Sequence, residues 1–197
     1  MADLTHSIAT ERLLLRPFTL ADVDAVHAYH SLKAVAHYQM WEPRTRDQVA
    51  AEIETWTSQS LDAGGVCRAV ILKADGKLIG DITLMHRDIE ARQAEIGFSF
   101  SPEYGGQGYA TEAAIALMAF GFGPLKLHRI FGRCDARNTP SWRVMERIGM
   151  RREAHFREHA IFKGEWDEEF YYAMLHSEWV AGRMGGIAPG SGLSGRN

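Results

Sequence analysis

The most constraining stretch of this chain is EIGFSFSPEYGGQGYATEAA, Glu95 to Ala114. Its first six residues alternate with period two. Ile96, Phe98 and Phe100 point one way and Glu95, Gly97 and Ser99 the other, which predicts a strand with one apolar face and one small polar face carrying a single carboxylate. Gly105, Gly106 and Gly108 then interrupt the chain before an alanine-rich helix from about Ala110. A strand, a glycine turn and a helix in that order leave backbone N–H groups free beside the positive end of a helix dipole.

That arrangement makes a cradle for phosphate, because amides converge on an anion without a lysine or a metal. A pyrophosphate is the ligand that best accounts for the stretch; a glycine turn acting only as a left-handed helix cap is the alternative. Two other phosphate fingerprints do not apply. GxxxxGK[ST] is absent, and Gly106, Gly108 and Thr111 do not fit GxGxxG with its acidic residue about twenty positions on.

The elements around the loop predict one mixed α/β (α+β) domain over residues 1–181. RLLLR at 12–16 reads as a first strand ending at Pro17, with Thr19 as a helix cap and two short helices before Pro43. Val49, Ile53 and Trp56 form the stripe of a third helix that Gly64-Gly65 ends. Three apolar runs, 66–72, 78–85 and 94–100, form an antiparallel meander with Asp75-Gly76 as a hairpin turn. A helix over 110–122 is apolar almost all round and should be central. A strand at 127–134, a helix at about 140–148 capped by Gly149, and strands near 150–158 and 168–176 follow. The segment 182–197, GRMGGIAPGSGLSGRN, predicts a flexible glycine-rich tail.

Charge and cysteines narrow the function. The net charge of −3 gives no global field for nucleic acid or anionic membrane. Residues 126–157 alone carry nine Lys/Arg against three acids, which suits a polyphosphate, RNA or merely solvated faces. Cys67 and Cys134 stand apart in apolar runs, without a CxxC pair or secretory leader, and predict buried free thiols in a reducing, cytoplasmic compartment. His27 and His30 give HxxH followed only by the isolated His37, so no metal is expected.

GGQGYATEA after AEIGF, followed by ARNTPSWRVMERIGM, resembles the GCN5-related N-acetyltransferases (GNAT), especially the branch that acetylates ribosomal-protein N-termini (the RimJ/RimL type). The likeness extends from ERLLLRPF to KGEWDEEFYYAML and SEW. One departure is Glu103, where the superfamily's Q/RxxGxG/A pattern has Gln or Arg. The resemblance implies a GNAT fold: a central, mostly antiparallel sheet of about six to seven strands, flanked by helices, with a splayed central strand pair. It implies that Tyr104, Gly105, Gly106, Gln107, Gly108, Tyr109, Ala110 and Thr111 bind the pyrophosphate of acetyl-CoA. Pantetheine would lie along the strand at Ile96, Gly97 and Phe98, and Asn138 and Ser141 would sit near the arm and the thioester sulfur.

Acetyl transfer to an amine needs an unprotonated nucleophile, a donor to the oxyanion and a proton for the thiolate. Glu95 is the first choice of base, directly or through water. A main-chain N–H near Ile96 to Phe98 would serve the oxyanion. Ser141 would protonate the thiolate, with Tyr172 as fallback, while Asn138 is equally a helix N-cap. Tyr29, Tyr38, Trp41 and Glu42 are placed in the acceptor region or the core. The reading is direct acetyl transfer in a ternary complex to a protein or peptide α-amine. A small-molecule amine such as a polyamine, amino acid or aminoglycoside, a non-catalytic acyl-CoA sensor, and an RNA-associated protein are the rivals. Neither membrane nor nucleic acid is expected as a partner, and monomer and homodimer stay open.

Overall fold

The computed structural model describes residues 7–58 and 65–184. β1 (Ile8–Ala9) and β2 (Leu13–Arg16) open the chain. After Pro17, a single 3-10 turn is closed by Asp22, whose carboxylate accepts from the N–H and hydroxyl of Thr19 at 2.8 and 3.1 Å. Helices α1 (Val23–His30), α2 (Lys33–Ala36) and α3 (Arg46–Ser58) follow. Val49 and Ile53 of α3 are fully buried and Trp56 partly so, as the stripe requires. The Gly64 end expected for α3 lies outside the described residues.

The meander is β3 (Gly65–Leu72), β4 (Leu78–Asp88) and β5 (Gln93–Phe100). Then come α4 (Tyr109–Phe122), β6 (Arg129–Asp135), α5 (Thr139–Arg147), β7 (Arg151–Phe162), β8 (Glu165–Leu175) and α6 (His176–Met184). One eight-stranded sheet has the order β1-β2-β3-β4-β5-β6-β8-β7, one strand beyond expectation because the two-residue β1 adds an edge. Every pairing is antiparallel except β5 with β6, and α4 is the crossover that a parallel pair demands. α6 extends three residues into the glycine-rich segment; residues 185–197 lie outside the described part. No helix among the described residues is long and apolar enough to cross a membrane.

The sheet buries both faces, each against its own core. On one, Leu117, Met118 and Phe122 of α4 pack on Val66, Ile82, Leu84 and Ile130. On the other, Val26 and Tyr29 of α1 with Val49 and Ile53 of α3 pack on Cys67, Ala69 and Ile71. Alternation along β3 sends successive side chains to the two cores, and seven of its eight residues are buried.

Three expectations are corrected. The last two strands form a longer hairpin than the sequence suggested, closed at Lys163-Gly164, both at positive φ (50° and 87°). Cys67 is buried, but Cys134 is only half-buried. The basic segment shows little free charge: Arg129 pairs with Glu153, Arg133 with Glu95, Arg137 with Asp135 and Arg151 with Glu178.

Candidate active site

β5 and β6 pair only at Gln93–Arg129, Ala94–Ile130 and Glu95–Phe131, and then part. β4 stays beside β5, and β8 beside β6, through Phe100 and Asp135 respectively. From Ile96 onward the inner edge of β5 therefore offers alternate N–H and C=O groups to a cleft rather than to a strand. A cavity of about 300 Å³ occupies the cleft, lined by Ile96, Gly97 and Phe98 on one side and Cys134, Asn138 and Ser141 on the other.

The glycine loop lies beyond that lining, at the far end of β5. Gly106 and Gly108 take left-handed φ of 74° and 80°, and Gly108 caps α4. The N–H of Glu112 is the first in α4 to find a carbonyl, that of Gly108 at 3.0 Å. The N–H groups of Gly106, Gln107, Gly108, Tyr109, Ala110 and Thr111 have no partner among the described residues. Those of Tyr104 and Gly105 are already used, donating to Ser101 and Pro102 carbonyls at 3.0 Å. The donor set of the cradle thus begins two residues later than the sequence suggested.

A bracket from the N-terminal strands holds this loop. Glu112 accepts from the Thr10 hydroxyl (2.6 Å), the Arg12 N–H (2.9 Å) and Arg12 Nε (2.7 Å). Arg12 Nη1 donates to the Gln107 carbonyl at 3.0 Å, and its guanidinium lies 4.5 Å over the Tyr109 ring. Burial alone would raise the Glu112 carboxyl, but the bonds from Thr10 and Arg12 outweigh it and hold it below its ordinary value.

The proposed catalytic residues are not all brought together. Asn138 Oδ1 accepts weakly from Ser141 N–H at 3.4 Å, so it does cap α5, and both residues line the cavity. The Ser141 hydroxyl has no partner among the described residues. Glu95 also lines the cavity, but both its oxygens carry guanidinium donors, Oε2 from Arg87 at 2.7 Å and Oε1 from Arg133 at 2.9 Å. Tyr172 is elsewhere. It is fully buried in the α4-side core, donates its hydroxyl proton to Glu146 at 2.9 Å and accepts from Arg152 at 3.0 Å. Its neighbours in sequence explain this: on β8 it sits opposite Gly132, while Glu169 and Asp167, of the other parity, reach the cavity.

Tyr38 lines the cavity with Gln39 and Met40. Tyr29 is core, and Trp41 stacks on His30 at 4.6 Å. His30 is buried against Asp81 (3.0 Å), and no group of three or more His, Cys, Asp or Glu among the described residues is placed to hold a metal. Lys163, at the β7–β8 turn, donates to the Ala36 and Trp41 carbonyls, both at 2.9 Å, and pairs with Glu42. The hairpin tip is thereby clasped to the α2 segment. Sequence reasoning missed Arg12 and Glu112, which meet across one hundred positions, and His159, Asp167 and Glu169, whose directions follow from the register of the β7–β8 hairpin.

The profile of the acetyltransferase (GNAT) domain family matches residues 12–151, from Arg12 of the bracket past Ser141 to Arg151. The chain belongs to the GNAT acetyltransferases. An N-acetyltransferase of Bacillus subtilis (strain 168), YnaD, itself uncharacterized, is 39% identical over 173 residues, 87% of this chain and 98% of its own. The crystal structure of a GNAT-family acetyltransferase from Bacillus anthracis matches with a TM-score of 0.79 at 39% identity, covering 88% of this chain and 100% of that one. The spermidine N(1)-acetyltransferase of Escherichia coli (strain K12) is 25% identical over 167 residues, 85% of this chain and 88% of that one. This GNAT enzyme is therefore an acetyl-CoA-dependent N-acetyltransferase with the GNAT fold. Its residues fit that cosubstrate: six unpartnered amides at a helix N-terminus, open space where a Cβ on Gly106 would stand, and a cleft ending at a free serine hydroxyl.

Proposed function

We propose that this enzyme acetylates the N-terminal α-amine of a protein or peptide by direct attack in a ternary complex. The observation that carries the choice of acceptor is the charge state of the cavity. Glu95 is matched by Arg87 and Arg133, and Asp135 by Arg137. Asp167 and Glu169 are the remaining acids of the lining, enough to face one ammonium, whereas a polycation would call for the other two to be unmatched as well. The mouth also exposes apolar surface, Met40 at 82% and Ile161 at 58%, suited to side chains following an N-terminal residue.

Acetyl-CoA, when bound, supplies the acyl group as a thioester. The amides of Gly106 to Thr111 are the donors for its pyrophosphate, and Gly97 lines the cleft edge of β5 along which the arm would run. A main-chain N–H of the Ile96–Phe98 edge is the donor to the carbonyl oxygen. Asn138 fixes the first turn of α5, and Ser141 Oγ, having no partner among the described residues, donates to the sulfur as it leaves. Glu95, with both oxygens engaged, orients Arg133 at the mouth. The unpaired thiols Cys67 and Cys134 suit a reducing compartment, and we place the reaction in the cytoplasm.

The similarity to a spermidine enzyme favours a polyamine as the second reading. Thiol release from acetyl-CoA separates the two, measured with peptides bearing different N-terminal residues and, in parallel, with spermidine and aminoglycosides. Turnover confined to peptides is expected. Turnover confined to spermidine would replace the acceptor assignment, and tight acetyl-CoA binding with no turnover would favour a sensor.

A further inference from the structure

The hairpin of β7 and β8 contains an irregularity that faces the cavity. Pairing runs to Arg157↔Glu168 and resumes at Ile161↔Trp166, so Glu158, His159 and Ala160 together oppose Asp167. Glu158 takes a left-handed φ of 47° to accommodate the excess. Such a bulge re-aims a side chain that a regular strand would send elsewhere. Here His159 and Ala160 line the cavity together with Asp167 and Glu169.

The imidazole has a carboxylate on either side and an aromatic ring beside it. Its Nδ1 lies 3.1 Å from Asp167 Oδ1, an oxygen that also accepts the Ala160 N–H at 3.0 Å. Asp167, fixed by that backbone donor, lies at ion-pair distance from Nδ1; assigning the ring proton to Nδ1, beside this carboxylate, leaves Nε2 as the bare nitrogen. Phe156 packs its ring 5.2 Å from the imidazole. Nε2 stands 3.7 Å from Glu169 Oε2, too far for a hydrogen bond and wide enough for a group between them. Burial raises the Glu169 carboxyl, although Arg133 of β6, 3.7 Å away, opposes the rise. Glu95 of β5 stands behind Arg133, and the α2-side lining of Tyr38, Gln39 and Met40 is neutral.

We propose that His159 is the general base for the acceptor amine, oriented by Asp167, with Glu169 facing the entering ammonium. The assignment rests on the acetyl-transfer reading above. Nε2 takes one proton from the ammonium, and the freed lone pair forms the C–N bond to the thioester carbon. The C–S bond breaks with its electron pair on sulfur. Ser141 Oγ gives its proton to that sulfur and recovers one from the new amide nitrogen. The imidazolium, 38% exposed, returns its proton to water. A free α-amine, with a pKa of about 7.7 to 8.0, needs only modest help to lose its proton near neutral pH.

The test uses the full chain with His159→Gln, His159→Ala and Asp167→Asn. With an alanine-initiated peptide and, separately, spermidine as acceptor, the pH profile of kcat/KM in the wild type should show an acid limb. His159→Gln should lose that limb and about 10²- to 10⁴-fold in rate, with the acetyl-CoA Kd unchanged by calorimetry. Added imidazole should restore part of the rate in His159→Ala. Without any turnover, nitrogen NMR of the His159 ring in the free enzyme should show the ring proton on Nδ1 in the wild type and redistributed toward Nε2 in Asp167→Asn, because Nδ1 loses its carboxylate neighbour. A wild-type rate and limb in His159→Gln, or unchanged ring-nitrogen signals in Asp167→Asn, would overturn the role while leaving N-acetyl transfer intact. A wild type that binds acetyl-CoA yet releases no thiol with any amine would overturn the acetyl-transfer reading itself.

Discussion

Replacing Glu112 by Gln tests whether the glycine loop is held from outside. The carboxylate receives three hydrogen bonds, two on Oε1 from Thr10 and the Arg12 backbone and one on Oε2 from Arg12 Nε. The amide keeps an oxygen for one side only and turns its NH₂ toward a donor on the other. A hydrogen bond to a charged group is worth about 1.5–3 kcal/mol. Arg12 is 42% exposed, so water recovers part of the loss, and about 1–2 kcal/mol remains. For a domain of this size that is a fall in Tm of about 3–6 °C at neutral pH. Because the folded Glu112 carboxyl lies below its unfolded value of about 4.3, its contribution is present above that pH and is lost as pH falls through the folded value. The gap between wild type and Glu112→Gln should therefore close in acid. Arg12 also steadies the Gln107 carbonyl, so KM for acetyl-CoA should rise about 5- to 10-fold, on the order of 1 kcal/mol. Calorimetric scans from pH 7 to 3.5, beside steady-state kinetics, read both effects. An equal gap at pH 3.5 and pH 7 would refute the electrostatic account. An unchanged KM despite lower stability would show that the bracket serves the N-terminal strands alone.

Two further substitutions address the cradle and the proton donor. Gly108→Val forces a β-branched residue to a φ of 80° at the cap of α4; KM for acetyl-CoA should rise at least tenfold by direct titration or kinetics, and unchanged affinity would remove the loop as the phosphate site. Ser141→Ala should lower kcat 10-fold or more with the acetyl-CoA Kd preserved, whereas Tyr172→Phe, which removes only the buried link between Arg152 and Glu146, should lower Tm and leave kcat near wild type. The opposite pattern in stopped thiol-release assays would return the role to Tyr172.

The backbone geometry of the glycine loop was legible in the sequence because its determinants are local. Positive φ at Gly106 and Gly108 and the polarity of a helix terminus depend on residues within a few positions of one another. The splay was half legible: Gly97 and Ser99 signalled an open face, but the parting of β5 from β6 follows from how β6 pairs with β8. The Arg12–Glu112 bracket spans one hundred positions and leaves no periodic trace. His159 escaped notice for a related reason. Its direction depends on a register shift against Asp167, and HAIFKGEWD has no Asn-Gly or Asp-Gly to mark the turn that sets that register. Tyr172 was misplaced by parity alone, since in FYYA either tyrosine matches a motif while only one face of β8 meets the cleft.

Where β5 and β6 part, the backbone ladder is replaced by a row of side chains running across four strands: Arg87 of β4, Glu95 of β5, Arg133 of β6 and Glu169 of β8. Burial alone would lower the Arg133 guanidinium, yet Glu95 and Glu169 hold it above its ordinary value, so the row stays charged and alternating. Its stabilising worth is small, because Arg87 is 50% and Arg133 39% exposed. Its consequence for function is larger, since it makes the entrance nearly neutral while leaving the cleft unfilled. Glu95→Gln removes one negative charge and leaves two guanidiniums against the single carboxylate of Glu169 where an ammonium enters. At a separation of about 6 Å and an effective dielectric near 20, one unmatched charge costs the cation about 2–3 kcal/mol, reduced by salt at so open a site to about 1 kcal/mol. KM for a cationic acceptor should accordingly rise about fivefold at low ionic strength and less at 0.5 M salt, with KM for acetyl-CoA unmoved. A direct base role for Glu95 predicts a different result: a fall in kcat of two orders of magnitude or more that salt does not relieve. The ratio of the two effects, measured at two salt concentrations, decides whether the carboxylate that opened the sequence argument removes the proton or only governs the charge of the doorway.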